Sequence, residues 1–182
     1  MKTCFAGFKS LNIEPDGTIS PCCIISPMHG QNLGNKFSNK SFFELDQWQT
    51  VQNLGVDSPH CHYCRAQELA GSYSVRKQIN QIVSQNESKK LEYLNINLSN
   101  LCNLTCRSCD SSRSYLITDG TSLQKPELKF DKYENIVKIV EQYRNDIRFI
   151  SIQGGEPLLY KDLRELITWI NNLNPSIAIS IV

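Results

Sequence analysis

Residues 91 to 182 switch between two hydrophobic periods, and that alternation limits the fold of this chain more than any other feature. "LEYLNINLS" alternates as a strand. "FDKYENIVKIVEQY" places Tyr133, Ile136, Val137 and Val140 at helical spacing. "IRFISIQ" is strand-like again, and "KDLRELITWINNL" sets Leu163, Leu166, Ile167 and Ile170 on one helical face. "SIAISIV" reads as a third strand. An order of β-α-β-α-β implies parallel strands joined by right-handed crossovers, with helices covering the sheet. Ligands of such sheets sit beyond the carboxyl ends of the strands. "CNLTCRSC" follows the first strand and "GGEP" the second, so the two segments should be neighbours on that edge.

The front of the chain follows another pattern. "FKSLNIEPDGTISPCC" alternates around Pro15-Asp16-Gly17 and reads as a β-hairpin, with Cys4 and Cys22 near its two ends. "SFFELDQWQTVQNL" carries Ser41 and Glu44 at capping-box spacing and predicts a short helix ended by Gly55 and Pro59. "CHYC" opens a longer helical stretch to about Val83. The polar run "SQNESKK" then reads as a linker. The expected division is a cysteine-rich hairpin-plus-helix module over 1–83, a linker over 84–90, and an α/β unit over 91–182. By length the chain is one domain, or one with a small appendage.

Charge excludes one partner class. The net charge is +1, with no basic stripe, so no nucleic-acid partner is expected. The N-terminal residues lack the apolar core of a secretory signal, and no apolar run approaches the ~20 residues of a membrane span. A cytoplasmic protein without membrane contact is the expectation. The eight cysteines are residues 4, 22, 23, 61, 64, 102, 106 and 109. That density is below the ~8–10% of secreted disulfide scaffolds. Clustered cysteines in a reducing compartment bind metal or do redox work. Scattered buried thiols would not explain "CHYC" or "CNLTCRSC".

Three cysteines in a C-x3-C-x2-C loop pose a chemical question. Thiolates suit iron–sulfur clusters or zinc. A [4Fe–4S] cube held by three cysteines leaves one iron open to substrate or cofactor. Zinc would have to recruit a fourth ligand from elsewhere, since no histidine follows His62.

"CNLTCRSC" followed by "GGEP", each after a predicted strand, closely resembles the radical SAM superfamily, over residues 91–182. The resemblance implies the first part of a partial (β/α) barrel with parallel strands and helices outside. It implies that Cys102, Cys106 and Cys109 hold a [4Fe–4S] cluster whose unique iron binds S-adenosylmethionine. Gly154, Gly155 and Glu156 would line the methionyl amino group, with Glu156 as acceptor. Ser108 stands where the family usually carries an aromatic residue, which weakens the adenine contact expected there or leaves it to backbone.

Cys4, Gly17, Cys22 and the pair Cys61-x2-Cys64 resemble the auxiliary-cluster module called SPASM, in its shortened twitch form. "CHYCRAQELAGSYSVRKQ" resembles the stretch that joins this module to the barrel in a subgroup of the family. The module more often follows the barrel; here it precedes it. Its four cysteines would hold a second [4Fe–4S] cluster, with Cys23 spare, although a swap with Cys22 stays open. A four-cysteine zinc site has the same spacing logic. His29, His60 and His62 read as solvated or outer-shell imidazoles.

The activity implied is reductive cleavage of S-adenosylmethionine to a 5′-deoxyadenosyl radical that abstracts hydrogen from a peptide, protein or small-molecule substrate. It calls for a low-potential electron donor of flavodoxin or ferredoxin type, and no protein acid or base is assigned. A reading of another class is a non-catalytic zinc-binding module that recruits a protein. Val182 closes the third of six barrel strands, so the expectation is a fragment of a longer enzyme, or half of a split one completed by a second chain.

Overall fold

A computed structural model describes residues 3–15, 17–25, 41–107, 109, 114, 116 and 131–182 of the chain. It divides into two compact units. Unit 1 comprises Met1–Asn12 and Thr18–Leu94, and unit 2 comprises Ile13–Gly17 and Asn95–Val182.

Unit 1 begins with a single helical turn, α1 (Ala6–Lys9), which runs into β1 (Ser10–Ile13). β2 (Ile19–Ser20) follows. Gly17 has φ +84° and its N–H donates to the Glu14 carbonyl, so the hairpin turn lies where Pro15 and Gly17 put it. The next helix, α2 (Asp46–Leu54), packs on α1. Its Trp48 is fully buried, touches Phe42, and donates from Nε1 to the Ser10 carbonyl at 3.1 Å. The capping box predicted at Ser41 is not made. Phe42–Glu44 form a 3-10 turn instead, Ser41 gives no side-chain cap, and α2 starts only at Asp46. Burial of both Phe42 and Phe43 sets the path of that turn, and tertiary packing overrides the local signal.

The long helix predicted from "CHYC" to Val83 is two helices, α3 (His62–Leu69) and α4 (Val75–Ile82). Gly71 breaks it at φ +74°. Ser74 then caps α4 by accepting from the Lys77 N–H. The polar stretch after α4 is fastened rather than free. Lys9, with no solvent exposure, donates from Nζ to Asn86 Oδ1 (2.9 Å) and Ser88 Oγ (2.6 Å) and pairs with Glu92 Oε1 at 3.1 Å. The Lys90 and Glu92 N–H groups donate to the Phe8 and Lys9 carbonyls. Burial opposes ionisation of Glu92, but the Ser84 N–H and the Lys9 ammonium outweigh it and hold the carboxyl below its ordinary range.

Unit 2 alternates as its hydrophobic pattern predicts. β3 (Tyr93–Asn97), whose first two residues belong to unit 1, is followed by α5 (Asp131–Tyr143), β4 (Phe149–Gln153), α6 (Leu163–Leu173) and β5 (Ala178–Ile181). Within unit 2 the strands neighbour one another in the order β3-β4-β5. β4 and β5 are parallel, with Ile150 opposite Ile179 and Ile152 opposite Ile181. Ile96, Ile150 and Ile152 are fully buried, as are Leu166 and Ile170 of α6 and Val140 of α5. Strands covered by helices lose the alternation that a half-solvated sheet would keep. Among the described residues no helix is long and apolar enough to cross a membrane.

Candidate metal centres

Unit 1 gathers four cysteines from three separate stretches. Cys4 lies just before α1, Cys22 follows β2, Cys61 ends a 3-10 turn over Pro59–Cys61, and Cys64 is in the first turn of α3. All four are buried, while Cys23 is half-buried. Burial pushes the Cys4 thiol up to about 12, and the thiols of Cys61 and Cys64 add to it. Cys22 is raised well above its ordinary value by burial and then by Cys23 and Cys4. Cys61 is raised by burial and by Cys64. Cys4, Cys22 and Cys61 therefore each feel at least one other thiol, and the dry surroundings disfavour a bare thiolate. A cationic metal group removes that penalty, because it binds the thiolates and releases their protons.

Backbone N–H groups oppose that rise: Ala6 lowers Cys4, Ile24 and Ile25 lower Cys22, and Arg76 and Val75 lower Cys64. Among the described residues no three Cys, His, Asp or Glu side chains converge where a single ion would sit. A four-iron cube takes one thiolate at each iron, and four buried thiols supply that donor set. His60 is half-buried and uses its backbone N–H on Ser58 Oγ, and His62 is exposed. His29 lies outside the described residues.

Unit 2 presents its three cysteines differently. β3 leads through Leu98–Leu101 into the loop, where Cys102 is buried, Cys109 half-buried and Cys106 exposed. The Leu104 N–H donates to the Cys102 sulfur at 3.4 Å, and the Cys109 N–H donates to the Cys106 carbonyl. Ser108 lies outside the described residues.

The "GGEP" segment is laced to the root of that loop. The Leu98 N–H donates to Gln153, the Gly155 N–H to the Ser99 carbonyl (2.8 Å), and the Glu156 N–H to the Leu101 carbonyl (2.7 Å). Gly154 has φ +153°, and a Cβ there would stand 2.7 Å from the Ser99 oxygen. At Gly155 a Cβ would come within 2.3 Å of the Leu101 oxygen. The glycines are thus required by the close approach of two chain segments, a constraint invisible at the level of spacing. Glu156 Oε1 accepts from the Leu158 N–H and caps the turn over Pro157–Leu159.

One residue was missed from sequence. Asn100, 8% exposed, has its Oδ1 buried with no hydrogen-bond partner among the described residues. A buried orphan acceptor is costly unless a ligand completes it. Asn100 stands between the two carbonyls that hold Gly155 and Glu156, where an ammonium-bearing cofactor would supply the missing donor. The donor set fits an S-adenosylmethionine-binding cluster.

A family model described as the radical SAM superfamily matches residues 96–181, spanning the three cysteines and Gly154–Glu156. The chain thus carries a radical SAM domain over those residues. A second model, the SPASM iron–sulfur cluster-binding domain, matches residues 4–66 and takes in Cys4, Cys22, Cys23, Cys61 and Cys64. Neither the curated proteins nor the solved structures gave a match. Together the two matches support a radical SAM family enzyme with a SPASM module, and these families imply iron–sulfur clusters and the use of S-adenosylmethionine.

Proposed function

We propose that Cys102, Cys106 and Cys109 hold an open-site [4Fe–4S] cluster, and that Cys4, Cys22, Cys61 and Cys64 hold an auxiliary one. With S-adenosylmethionine bound, the open-site cluster supplies reductive cleavage to a 5′-deoxyadenosyl radical, which abstracts hydrogen from a peptide, protein or small-molecule substrate. Glu156 and Asn100 accept hydrogen bonds from the methionyl ammonium. The Gly155 and Glu156 N–H groups keep this stretch against the root of the cysteine loop. Cys106, exposed, leaves one side of the loop accessible to a low-potential electron donor. The lacing of Gly155 and Glu156 to Ser99 and Leu101 carries the reading, because it joins the two motifs whose chemistry must meet at one cofactor.

The test is anaerobic reconstitution with iron and sulfide, followed by reduction in the presence of S-adenosylmethionine. Brown protein that forms 5′-deoxyadenosine is the expected result. Colourless protein that binds only zinc would overturn the proposal.

A further inference from the structure

We infer that Arg76 is a positioning residue of the auxiliary centre, which holds Cys4 in place and sets the reduction potential of the cluster there. The inference rests on the auxiliary-cluster reading above, and Arg76 lies beyond the stretch matched as the cluster-binding domain.

Arg76 is on α4 and only 8% exposed. Its guanidinium forks onto Glu68, with Nε donating to Oε1 at 2.9 Å and Nη2 pairing with Oε2. Nη1 donates to the carbonyl of Thr3 at 3.1 Å, one residue before Cys4. Asn80, one helical turn further along the same face of α4, completes the grip. Its Nδ2 donates to the Thr3 carbonyl at 3.0 Å, and its Oδ1 accepts from the Phe5 N–H at 3.0 Å. The backbone on both sides of Cys4 is thus held from α4, more than seventy residues away in sequence. Glu68, which anchors the fork, sits four residues after Cys64 on α3, and Ser74 also donates to it. The backbone N–H of Arg76 meanwhile favours the Cys64 thiolate, against the burial that raises it. A single residue therefore ties the segment of Cys4 to the helix of Cys64.

Its charge acts on the same sulfurs. The Arg76 cation favours the thiolates of Cys4, Cys61 and Cys64. Reduction of a cluster adds one negative charge, and nearby charge and hydrogen bonding to sulfur are among the factors that set cluster potentials. A buried guanidinium at this place favours the reduced form, and the Glu68 carboxylate partly offsets it. Arginine suits the task because it keeps its charge when buried and reaches Glu68 and Thr3 at once.

Arg76→Gln and Glu68→Gln break the same ion pair but remove opposite charges. A purely structural role would move both variants in one direction. An electrostatic role moves them apart. The experiment uses the full chain with Cys102, Cys106 and Cys109 replaced by Ala, so that only the auxiliary centre titrates, and follows its reduction by electron paramagnetic resonance. Arg76→Gln is expected to lower the potential and Glu68→Gln to raise it, each by a roughly tenfold change in the reduction equilibrium, ~59 mV for one electron. Shifts of the same sign, or none, overturn the inference alone. Should Arg76→Gln lose its iron, Glu68→Gln decides: an upward shift supports the inference, and any other result overturns it. A background chain that takes up no cluster overturns the auxiliary-cluster reading and the inference with it.

Discussion

The two sets of cysteines occupy opposite kinds of surroundings. The four candidate ligands of unit 1 are all buried, and the backbone beside Cys4 is held by side chains of α4. Those of unit 2 grade from buried Cys102 to exposed Cys106, on a loop anchored at its root. A cluster with four protein ligands can be enclosed, because nothing has to reach its irons. A cluster with an open iron must leave room for a cofactor and a route for an electron. The contrast in burial is therefore the contrast between a closed site and an open one.

The sharpest way to break that comparison is to remove each set in turn. Replacing Cys102, Cys106 and Cys109 with Ala should abolish 5′-deoxyadenosine formation and remove about half the iron, since the open-site cube has no other thiolates. Replacing Cys61 and Cys64 should remove the other half and leave S-adenosylmethionine binding largely intact. Iron analysis and equilibrium binding check both. A triple variant with full iron content would place the open cluster elsewhere.

A smaller effect separates the anchors of the two regions. Lys9→Met should cost unit 1 about 4 kcal/mol, because Glu92 is left buried without its cation. The folded carboxyl is depressed, so its contribution is complete above the ordinary glutamate value of about 4.3. It is lost as pH falls from there through the lowered value. Acid unfolding of the native chain should thus steepen below about pH 4.3, and Lys9→Met should flatten that dependence. Gly155→Ala should cost about 3 kcal/mol, since its methyl would meet the Leu101 carbonyl, which is backbone and yields little. Denaturant titration measures both losses. Gly155→Ala should also abolish S-adenosylmethionine cleavage, whereas Lys9→Met should leave the iron content of the folded protein unchanged.

The smallest effects compare two serines within unit 1. Ser74 caps α4 through the Lys77 N–H, and Ser74→Ala should cost about 1 kcal/mol. Ser41 makes no cap, so Ser41→Ala should stay under about 0.5 kcal/mol. Equal losses in thermal unfolding would return Ser41 to the capping role its spacing suggests.

Much of unit 2 was legible before folding was considered. Runs such as "FISIQ" and "LRELITWINNL" bury the residues their period selects, because a strand or helix with one possible apolar face has one way to pack. The pairing of "CNLTCRSC" with "GGEP" followed from strand order. Asn100 was not legible, since an asparagine among polar neighbours signals nothing until burial strands its oxygen. In unit 1, Ser41 and Glu44 carried a valid capping signal that lost to the burial of Phe42 and Phe43. The single helix expected from "CHYC" to Val83 is split at Gly71, and the helical period resumes at Val75.

Short-range patterns, in short, determine which atoms are available: seven thiolates at ligand spacing, two glycines before Glu156, a β-α-β-α-β order. Such patterns reach one or two turns of helix or the span of a hairpin. The grip of Arg76 and Asn80 on the backbone around Cys4, the burial of Lys9 against Glu92, and the need for glycine opposite Ser99 and Leu101 join residues 54 to 83 positions apart. No local period encodes such a contact. It exists only once hydrophobic burial has brought the segments together, and only then does the cost of an unpaired charge or a stray methyl make these residues irreplaceable.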